Sequence, residues 1–404
     1  MPVSSEDHLI DDENTTGAVG QPPSPRRGGG GGGVKSLADC ALSAPSIDEH
    51  PAPLSDRALD RPPTPSPSPG HGEAVPSARG GGGFRADCAD QSSGGARHAI
   101  NGAGLHLALL IEEGRGEWHA RRIVRSLEAM GARVTVSSLP HCAFDTGLAC
   151  GIDIPGFGGQ LPDGVFVRSI SAGTLEQITF RLGLLHALRE SGVRVWNDAR
   201  AIERCVDKSQ TTFLLHKAGI ATPRTRVCET HAHAQEYTVG LIRPLVMKPL
   251  FGSQGKGIGQ ITSQAELPAP DAVDNIYYMQ DFVAPANGIF EDWRVLASRH
   301  RIIAAMTRQG TTWVTNIHQG GKALAHEPCS EMAAISMAAM RAIDADYAGI
   351  DLIRGADGRL QVLEVNSNPA WRGLQSVTNV NIAEAIAEDF LKTVVAHRGA
   401  METV

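Results

Sequence analysis

From Leu105 onward, apolar and polar positions repeat with two periods. Leu105-His-Leu-Ala-Leu-Leu-Ile111 is a nearly unbroken apolar run of strand length. Glu117 to Met130 repeats its apolar positions at helical spacing and stops at Gly131. Arg133-Val-Thr-Val-Ser137 and Gly164-Val-Phe-Val-Arg168 read as second and third strands. A helix is predicted from Thr174, with Leu175, Ile178, Leu182 and Leu185 on its apolar face and Gly192 as its stop. Val193-Arg-Val-Trp196 is the fourth strand. Alternation of strand and helix predicts a parallel sheet with helices on its faces.

Beyond Asn197-Asp198 the pattern changes to helix and then to strands joined by glycine-rich turns. Asp207 to Lys217 is predicted helical, ending at Gly219, and Leu245-Val-Met-Lys-Pro249 is a strand followed by a flexible loop from Gly252 to Gly259. Ile276 to Val283, Asp292 to Leu296 and Arg301 to Met306 read as further strands, and Cys329 to Ile343 as a helix. Ala348 to Ile353 and Leu360 to Asn366 form a strand pair through Gly355-Ala-Asp-Gly358, and an amphipathic helix near Asn381 to Val395 closes the pattern.

The first hundred residues carry no such periodicity. Gly28 to Gly33, the Pro-Ser-Pro run from Pro62 to Pro69, and Gly80 to Gly83 cannot bury enough apolar surface to offset chain entropy, so a disordered tail is expected there. The rival reading is a partner-binding arm, because proline-rich stretches dock as extended helices. Asn101-Gly-Ala-Gly104 precedes its strand, whereas a dinucleotide fingerprint would follow it.

Composition narrows the partners. A chain of 404 residues has room for two or three domains. Its formal charge of -7 offers no broad cationic surface, which argues against nucleic acid and against an anionic membrane as the main partner. No apolar run reaches bilayer length, and the N-terminus lacks the basic flank and apolar stretch of a secretory signal. The seven cysteines are scattered singly without a Cys-x-x-Cys pair, as expected of reduced thiols in a cytoplasm.

Three constellations carry candidate chemistry. In the first, Glu364 and Asn366 share a strand face, and a four-residue hairpin loop at Gly355 to Gly358 would pair Arg354 with Arg359 and set Asp351 opposite Val362, on that same face. Two carboxylates and an amide oxygen are hard ligands of the kind magnesium takes beside nucleotide phosphates, and Val362, Leu363 and Val365 make the strand look buried rather than a solvated edge. In the second, Lys248 ends its strand beside the glycine loop, where a lysine can reach a phosphate and backbone N–H groups can close over it. The loop is not a Walker A motif, because Gly257 follows Lys256. In the third, Asp292 and Arg294 share a strand face, and Asn316 and His318 are read with the same geometry. His231-Ala-His233 is assigned to a solvated polar loop, and no Gly-x-Ser-x-Gly elbow supports serine hydrolase chemistry.

Taken in order, Asn197-Asp198, Asp207-Lys208, Leu245-Val-Met-Lys-Pro249, Gly252-Ser-Gln-Gly255, Met279-Gln-Asp-Phe-Val283, Asp292-Trp-Arg294, Asn316-Ile-His-Gln-Gly-Gly321, Ala348-Gly-Ile-Asp351 and Leu363-Glu-Val-Asn-Ser-Asn-Pro369 resemble the RimK-type branch of the ATP-grasp superfamily over roughly residues 104 to 398. The resemblance implies an α/β and α+β protein: a disordered tail (1–103), a Rossmann-like pre-ATP-grasp domain (104–198), and two subdomains (199–284 and 285–398) that clasp ATP. It implies phosphate contacts from Lys208 and Lys248, and loop contacts from Gly252, Ser253, Gln254 and Gly255. Gln280, Asp281, Phe282 and Val283 would form the hinge, with adenine read through the backbone. Asp292 would lie near the ribose and Asn316 near the phosphates. Asp351, Glu364 and Asn366 would hold two Mg²⁺ ions, with Mn²⁺ able to substitute. Arg294 and Lys248 would be catalytic, Arg294 holding the transferred phosphoryl group, and Arg168, His318, Gly320 and Asn368 would face the substrates.

The activity implied is ADP-forming ligation, in which a carboxylate attacks the γ-phosphate and an amine then attacks the acyl phosphate. The partners implied are L-glutamate and a small-molecule acceptor, and a homo-oligomer is allowed. The stretch from Val167 to Arg181 looks most like the cofactor-directed members, notably the tetrahydromethanopterin glutamate ligases. A ribosomal protein tail and an amino-group carrier protein are the alternative acceptors. Gln319 departs from the pattern, standing where many relatives have Arg. Two other classes are weighed: a small-molecule kinase, which would release ADP without free phosphate, and an idle nucleotide-binding protein, which would have no need of all three metal ligands.

Overall fold

The apolar run at Leu105–Ile111 lies in the middle of a parallel sheet. The structure is a computed structural model and describes residues 101–112, 118–252, 255–285, 287–401 and 403. The expected tail before residue 101, the helix start at Glu117, and loop residues Ser253 and Gln254 lie outside the described residues. The first layer runs β1 (His106–Leu110), α1 (Trp118–Ala129), β2 (Arg133–Ser137), a short hairpin of β3 (Ala143–Phe144) and β4 (Ile152–Asp153), β5 (Gly164–Val167), α2 (Leu175–Glu190), β6 (Arg194–Trp196) and α3 (Ala199–Val206). Its sheet has the order β2-β1-β5-β6, parallel throughout. Both faces are covered, which is why these strands read as apolar runs rather than alternations.

The middle layer follows with α4 (Lys208–Lys217), β7 (Thr225–Cys228), α5 (His231–Thr238), β8 (Leu245–Lys248), β9 (Gly259–Ile261) and β10 (Tyr277–Asp281), an antiparallel sheet of order β7-β10-β8-β9. The third layer comprises β11 (Phe290–Ser298), β12 (Ile302–Gly310), β13 (Lys322–His326), α6 (Ser330–Ile343), β14 (Tyr347–Arg354), β15 (Leu360–Asn366), α7 (Arg372–Gln375) and α8 (Ile382–Met401). Its five strands are antiparallel in the order β13-β12-β11-β14-β15. Helix α8 returns to the first layer. Phe390 packs edge-on to Phe166 at 5.4 Å, and Trp196 stacks on Tyr347 at 5.1 Å, so the first and third layers share one core. Gly164 permits this approach, since a Cβ there would lie 2.6 Å from Val394 Cγ2.

Local sequence explains the helix starts. Thr174 and Gln177 form a reciprocal capping box at α2, and the Asp207 carboxylate accepts from Ser209 N and Gln210 N at 2.8 and 3.1 Å, which places Lys208 in the first turn of α4.

Four expectations are corrected. The buried face of α2 is Arg181, Leu184, Leu185 and Leu188, whereas Leu175 is 78% exposed and Ile178 faces outward. Arg181 is inward because its guanidinium caps the Ser171 and Ala172 carbonyls at 2.6 and 3.2 Å. His231 and His233 lie in α5, not a loop, and His231 Nδ1 is hydrogen-bonded to the Tyr277 hydroxyl at 2.7 Å. Asn316 and His318 do not lie on a strand, because Ile317–Gln319 is a tight 3₁₀ turn.

The fourth correction is the register of β14 and β15. Gly355 N donates to Arg359 O, so the loop holds five residues and Arg354 pairs with Leu360. A bulge then lies between Asp351 and Leu352, and on the outer edge of β15 Val362 N donates to Ala221 O at 2.8 Å. Asp351 therefore pairs directly with Glu364.

Candidate active site

The antiparallel ladders of the third layer set charged residues side by side. Arg294 is opposite Asp351, Asp351 opposite Glu364, Gly349 opposite Asn366, and Asp292 opposite Arg308. Facing them across a cleft of about 260 Å³ are Lys208, Lys248 and the β10 edge from Gln280 to Val283. The same cleft has an apolar end, lined by Val246, Ile258, Phe282, Phe290, Trp313 and Leu363, with Phe282 edge-on to Trp313 at 6.1 Å. A flat apolar slot leading to cations and then to carboxylates suits a planar base joined to a polyphosphate and a divalent cation.

Lys248 is aimed by its neighbours. Its Nζ donates to Gln280 Oε1 at 2.7 Å, and Gln280 Nε2 donates to the hydroxyls of Thr225 and Tyr278 at 3.1 and 3.3 Å. Lys208 Nζ donates to Gly252 O at 2.8 Å and lies 3.9 Å from Glu364 Oε1, so it joins the glycine loop to the carboxylates. Burial lowers the pKa of both lysines, and Glu364 opposes the shift in each. Two desolvated cations in one cleft gain from an anion that restores their lost solvation.

Asp351 is 4% exposed yet stays ionised: burial alone would raise its pKa, but Arg294 and Arg308 outweigh burial and lower it. Glu364 is more open, with Lys208 beside it. Asn366 Nδ2 donates to Gly349 O at 3.4 Å, which commits the amide nitrogen and leaves the oxygen for ligation. Among the described residues no three of His, Cys, Asp or Glu gather into a metal cluster, and the Asp351, Glu364 and Asn366 set relies on an amide for its third oxygen. Such a hard-oxygen set fits Mg²⁺ completed by phosphate oxygens and water.

Some expected residues have other tasks here. Asp292 lines the cleft, and its carboxylate accepts two bonds from Arg308 at 2.6 and 2.7 Å and one from Thr315 Oγ1 at 2.7 Å, so it anchors the Arg308 guanidinium. Asp281 N and Phe282 N donate to Arg224 O and Pro244 O at 2.8 and 3.0 Å, so both N–H groups are committed within the protein. Gly252 and Gly255 line the cleft and offer carbonyls to Lys208 and to Gln319 Nε2, the latter at 2.8 Å. Asn316 lies beside Gly255 and heads the 3₁₀ turn.

The four expected substrate residues do not line this cleft. Arg168 follows β5 and donates to Asn368 O at 3.2 Å, while His318 and Gly320 sit exposed at the 3₁₀ turn. Near Arg168, His119 Nε2 accepts from Trp371 N at 3.2 Å, and burial, reinforced by Arg168 and Arg372, lowers its pKa to about 3. Arg308 was missed in the sequence. Its strand was expected to end at Met306, and its pairing with Asp292 depends on the β11–β12 register.

A RimK-like ATP-grasp domain model matches residues 205–390. Over 232 residues the chain is 34% identical to the tetrahydromethanopterin:alpha-L-glutamate ligase of Methanococcus maripaludis, a match spanning 56% of this chain and 78% of that relative. The chain belongs to the RimK-like ATP-grasp family. It is an ATP-dependent ligase. A probable alpha-L-glutamate ligase of Alkalilimnicola ehrlichii is 31% identical over 290 residues, 69% of this chain and 88% of the relative. Among solved structures, the ATP-grasp ligase PsnB complexed with minimal precursor, Mg and ADP superposes with a TM-score of 0.54 at 19% identity, covering 72% of this chain and 97% of PsnB. The D-cycloserine synthetase DcsG gives 0.54 at 17% identity, covering 72% and 99%. These two show the shared fold. Within it, the ligase presents the cleft described above between the sheets of its middle and third layers. Among its described residues no helix is long and apolar enough to cross a membrane.

Proposed function

We propose that this ligase adds L-glutamate to a carboxylate of a pterin-type cofactor, forming an amide through an acyl phosphate. The observation that carries the ligation chemistry is the meeting of Asp351, Glu364 and Asn366 with Lys208, Lys248 and Arg294 in one cleft. The choice of glutamate and of a pterin acceptor draws on the printed names of relatives about one-third identical.

The chemistry follows from charge. An acceptor carboxylate and the γ-phosphate are both anions, so attack requires cations at the point of contact. Lys208 and Lys248 receive the phosphates, and Arg294 receives the phosphoryl oxygens as they pass to the acceptor. Mg²⁺ held by Asp351, Glu364 and Asn366 would neutralise the β- and γ-phosphate oxygens. Water would hydrolyse the acyl phosphate, and two ties hold the flanks of the glycine loop at the cleft: Lys208 to the Gly252 carbonyl and Gln319 to the Gly255 carbonyl. The glutamate amine then displaces phosphate.

The test is incubation of the full chain with ATP, Mg²⁺, L-glutamate and tetrahydromethanopterin-type pterins, followed by mass spectrometry. A product heavier by one glutamyl residue, with equimolar ADP and phosphate, supports the reading. A glutamylated protein tail with unmodified pterin refutes the acceptor, and ADP without free phosphate refutes ligation.

A further inference from the structure

Asp351 is held by two arginines whose anchoring differs. Arg294 grips it in a fork, Nε to Oδ1 and Nη2 to Oδ2, the second contact at 2.7 Å. Arg308 Nη2 reaches Oδ2 at 3.0 Å. Both carboxylate oxygens therefore already carry guanidinium donors, and a divalent cation on Asp351 would meet like charge at contact range. Moving one arginine aside would remove that repulsion and free an oxygen for the cation.

The anchoring decides which. Arg308 is also forked onto Asp292, which Thr315 holds from a third side, and its side chain is 5% exposed. Withdrawing Arg308 would leave the buried Asp292 carboxylate without its counter-charge, which is costly. Arg294 has Asp351 as its partner, lines the cleft, and is 13% exposed. Its stem passes over Gly349, where a Cβ would lie 3.1 Å from Arg294 Cδ, so the missing side chain leaves the stem room to turn.

We propose that Arg308 is a permanent positioning residue for Asp351, and that Arg294 is an exchangeable counter-ion that Asp351 gives up as cation and nucleotide fill the cleft. The released guanidinium is then free for the phosphoryl group, so the catalytic arginine is delivered only when the site is loaded. The proposal rests on the magnesium–nucleotide reading above and adds a competition within it: Arg294 and the cation share one carboxylate. A ligand shifts such an equilibrium only by its differential affinity for the two states, so removing the competitor tightens cation binding.

The experiment titrates Mn²⁺ onto the full chain in the presence of ADP, reading free Mn²⁺ by electron paramagnetic resonance. Arg294→Gln is expected to bind Mn²⁺ more tightly than the unmodified chain by at least about fivefold, the lower end of coupling between linked sites, while losing ligase turnover. Arg294→Lys is expected to fall between them. Arg308→Gln is expected to bind more weakly, because Asp351 loses its fixed support; if circular dichroism shows that variant unfolded, Arg308→Lys takes its place with the same expected direction. Equal or weaker Mn²⁺ binding by Arg294→Gln overturns the exchange, and unchanged binding by the folded Arg308 variant overturns the positioning role. Absence of Mn²⁺–ADP binding in the unmodified chain would overturn the underlying nucleotide reading as well, so the failures are distinguishable.

Discussion

Lys248 reaches across the β8–β10 ladder to Gln280, its Nζ 2.7 Å from Oε1, and Gln280 is 1% exposed with its amide nitrogen bound to two hydroxyls. The amide acts as a bracket, and Lys248 is pointed rather than free. Gln280→Leu removes it at nearly constant volume. Losing a hydrogen bond to a charged group costs about 1.5–3 kcal/mol, so the ATP dissociation constant should rise about tenfold or more. Isothermal titration calorimetry checks this, and an unchanged constant would show that Lys248 orients itself.

The two lysines also predict a pH dependence. Burial in the cleft lowers their pKa values, and a bound polyphosphate would raise them again. Between the lowered and the raised values, binding must take up protons, so ATP affinity falls as pH climbs through the lysines' free-state range and is flat below it. Calorimetry in two buffers of different ionisation enthalpy should register proton uptake at alkaline pH. Lys248→Arg should reduce the uptake, since Arg stays charged throughout.

Glu364→Gln keeps shape and removes one ligand charge. Loss of several kcal/mol of electrostatic stabilisation is expected, hence a fall of at least about a hundredfold in ADP release by a coupled assay, with the unfolding midpoint little changed. Near-normal turnover would remove Glu364 from the metal set.

A fourth prediction concerns acid. His119 has its folded-state pKa lowered to about 3 against an ordinary 6.5, with burial the main cause. The unfolded chain therefore binds a proton at this histidine that the folded chain refuses. Its contribution to stability is complete above about pH 6.5 and is lost as pH falls from there toward 3. Denaturant unfolding at pH 7 and pH 5 should show His119→Gln losing less stability on acidification than the unmodified chain. An equal loss would assign the acid sensitivity elsewhere.

Much of this site is readable in the sequence, with instructive exceptions. Lys208 came through the family resemblance, and the Asp207 cap is what sets it in the first turn of α4; Glu364 with Asn366 is legible because strand alternation sets them on one face. The face shared by Asp351, Glu364 and Asn366 was expected correctly, but the partner of Asp351 was not. The longer loop and the bulge each slip the register by one in the same direction, so Glu364 rather than Val362 lies opposite, and a slip of two keeps the face. Neither the loop length nor the bulge has a signature in the strand periodicity, and the contact of Val362 N with the Ala221 carbonyl joins residues more than a hundred positions apart. Arg308 was invisible for a similar reason: its meaning lies in a cross-strand partner, Asp292, that no periodicity names. On α2, Leu175 and Ile178 carry the apolar signal, yet a backbone-capping Arg181 turned the helix the other way.

The return of α8 has a consequence for how the protein is made. Phe166 and Trp196 belong to strands formed early in the chain, but their cover, Phe390, comes almost at its end, and Arg398 then ties back to Asp163 at 2.8 Å. During synthesis the parallel sheet emerges from the ribosome with this face covered in part by α1 and waits for α8 before it can close. A layer made before the two antiparallel sheets is thus finished after them, and a break in the chain ahead of α8 would leave Phe166 and Trp196 without their cover.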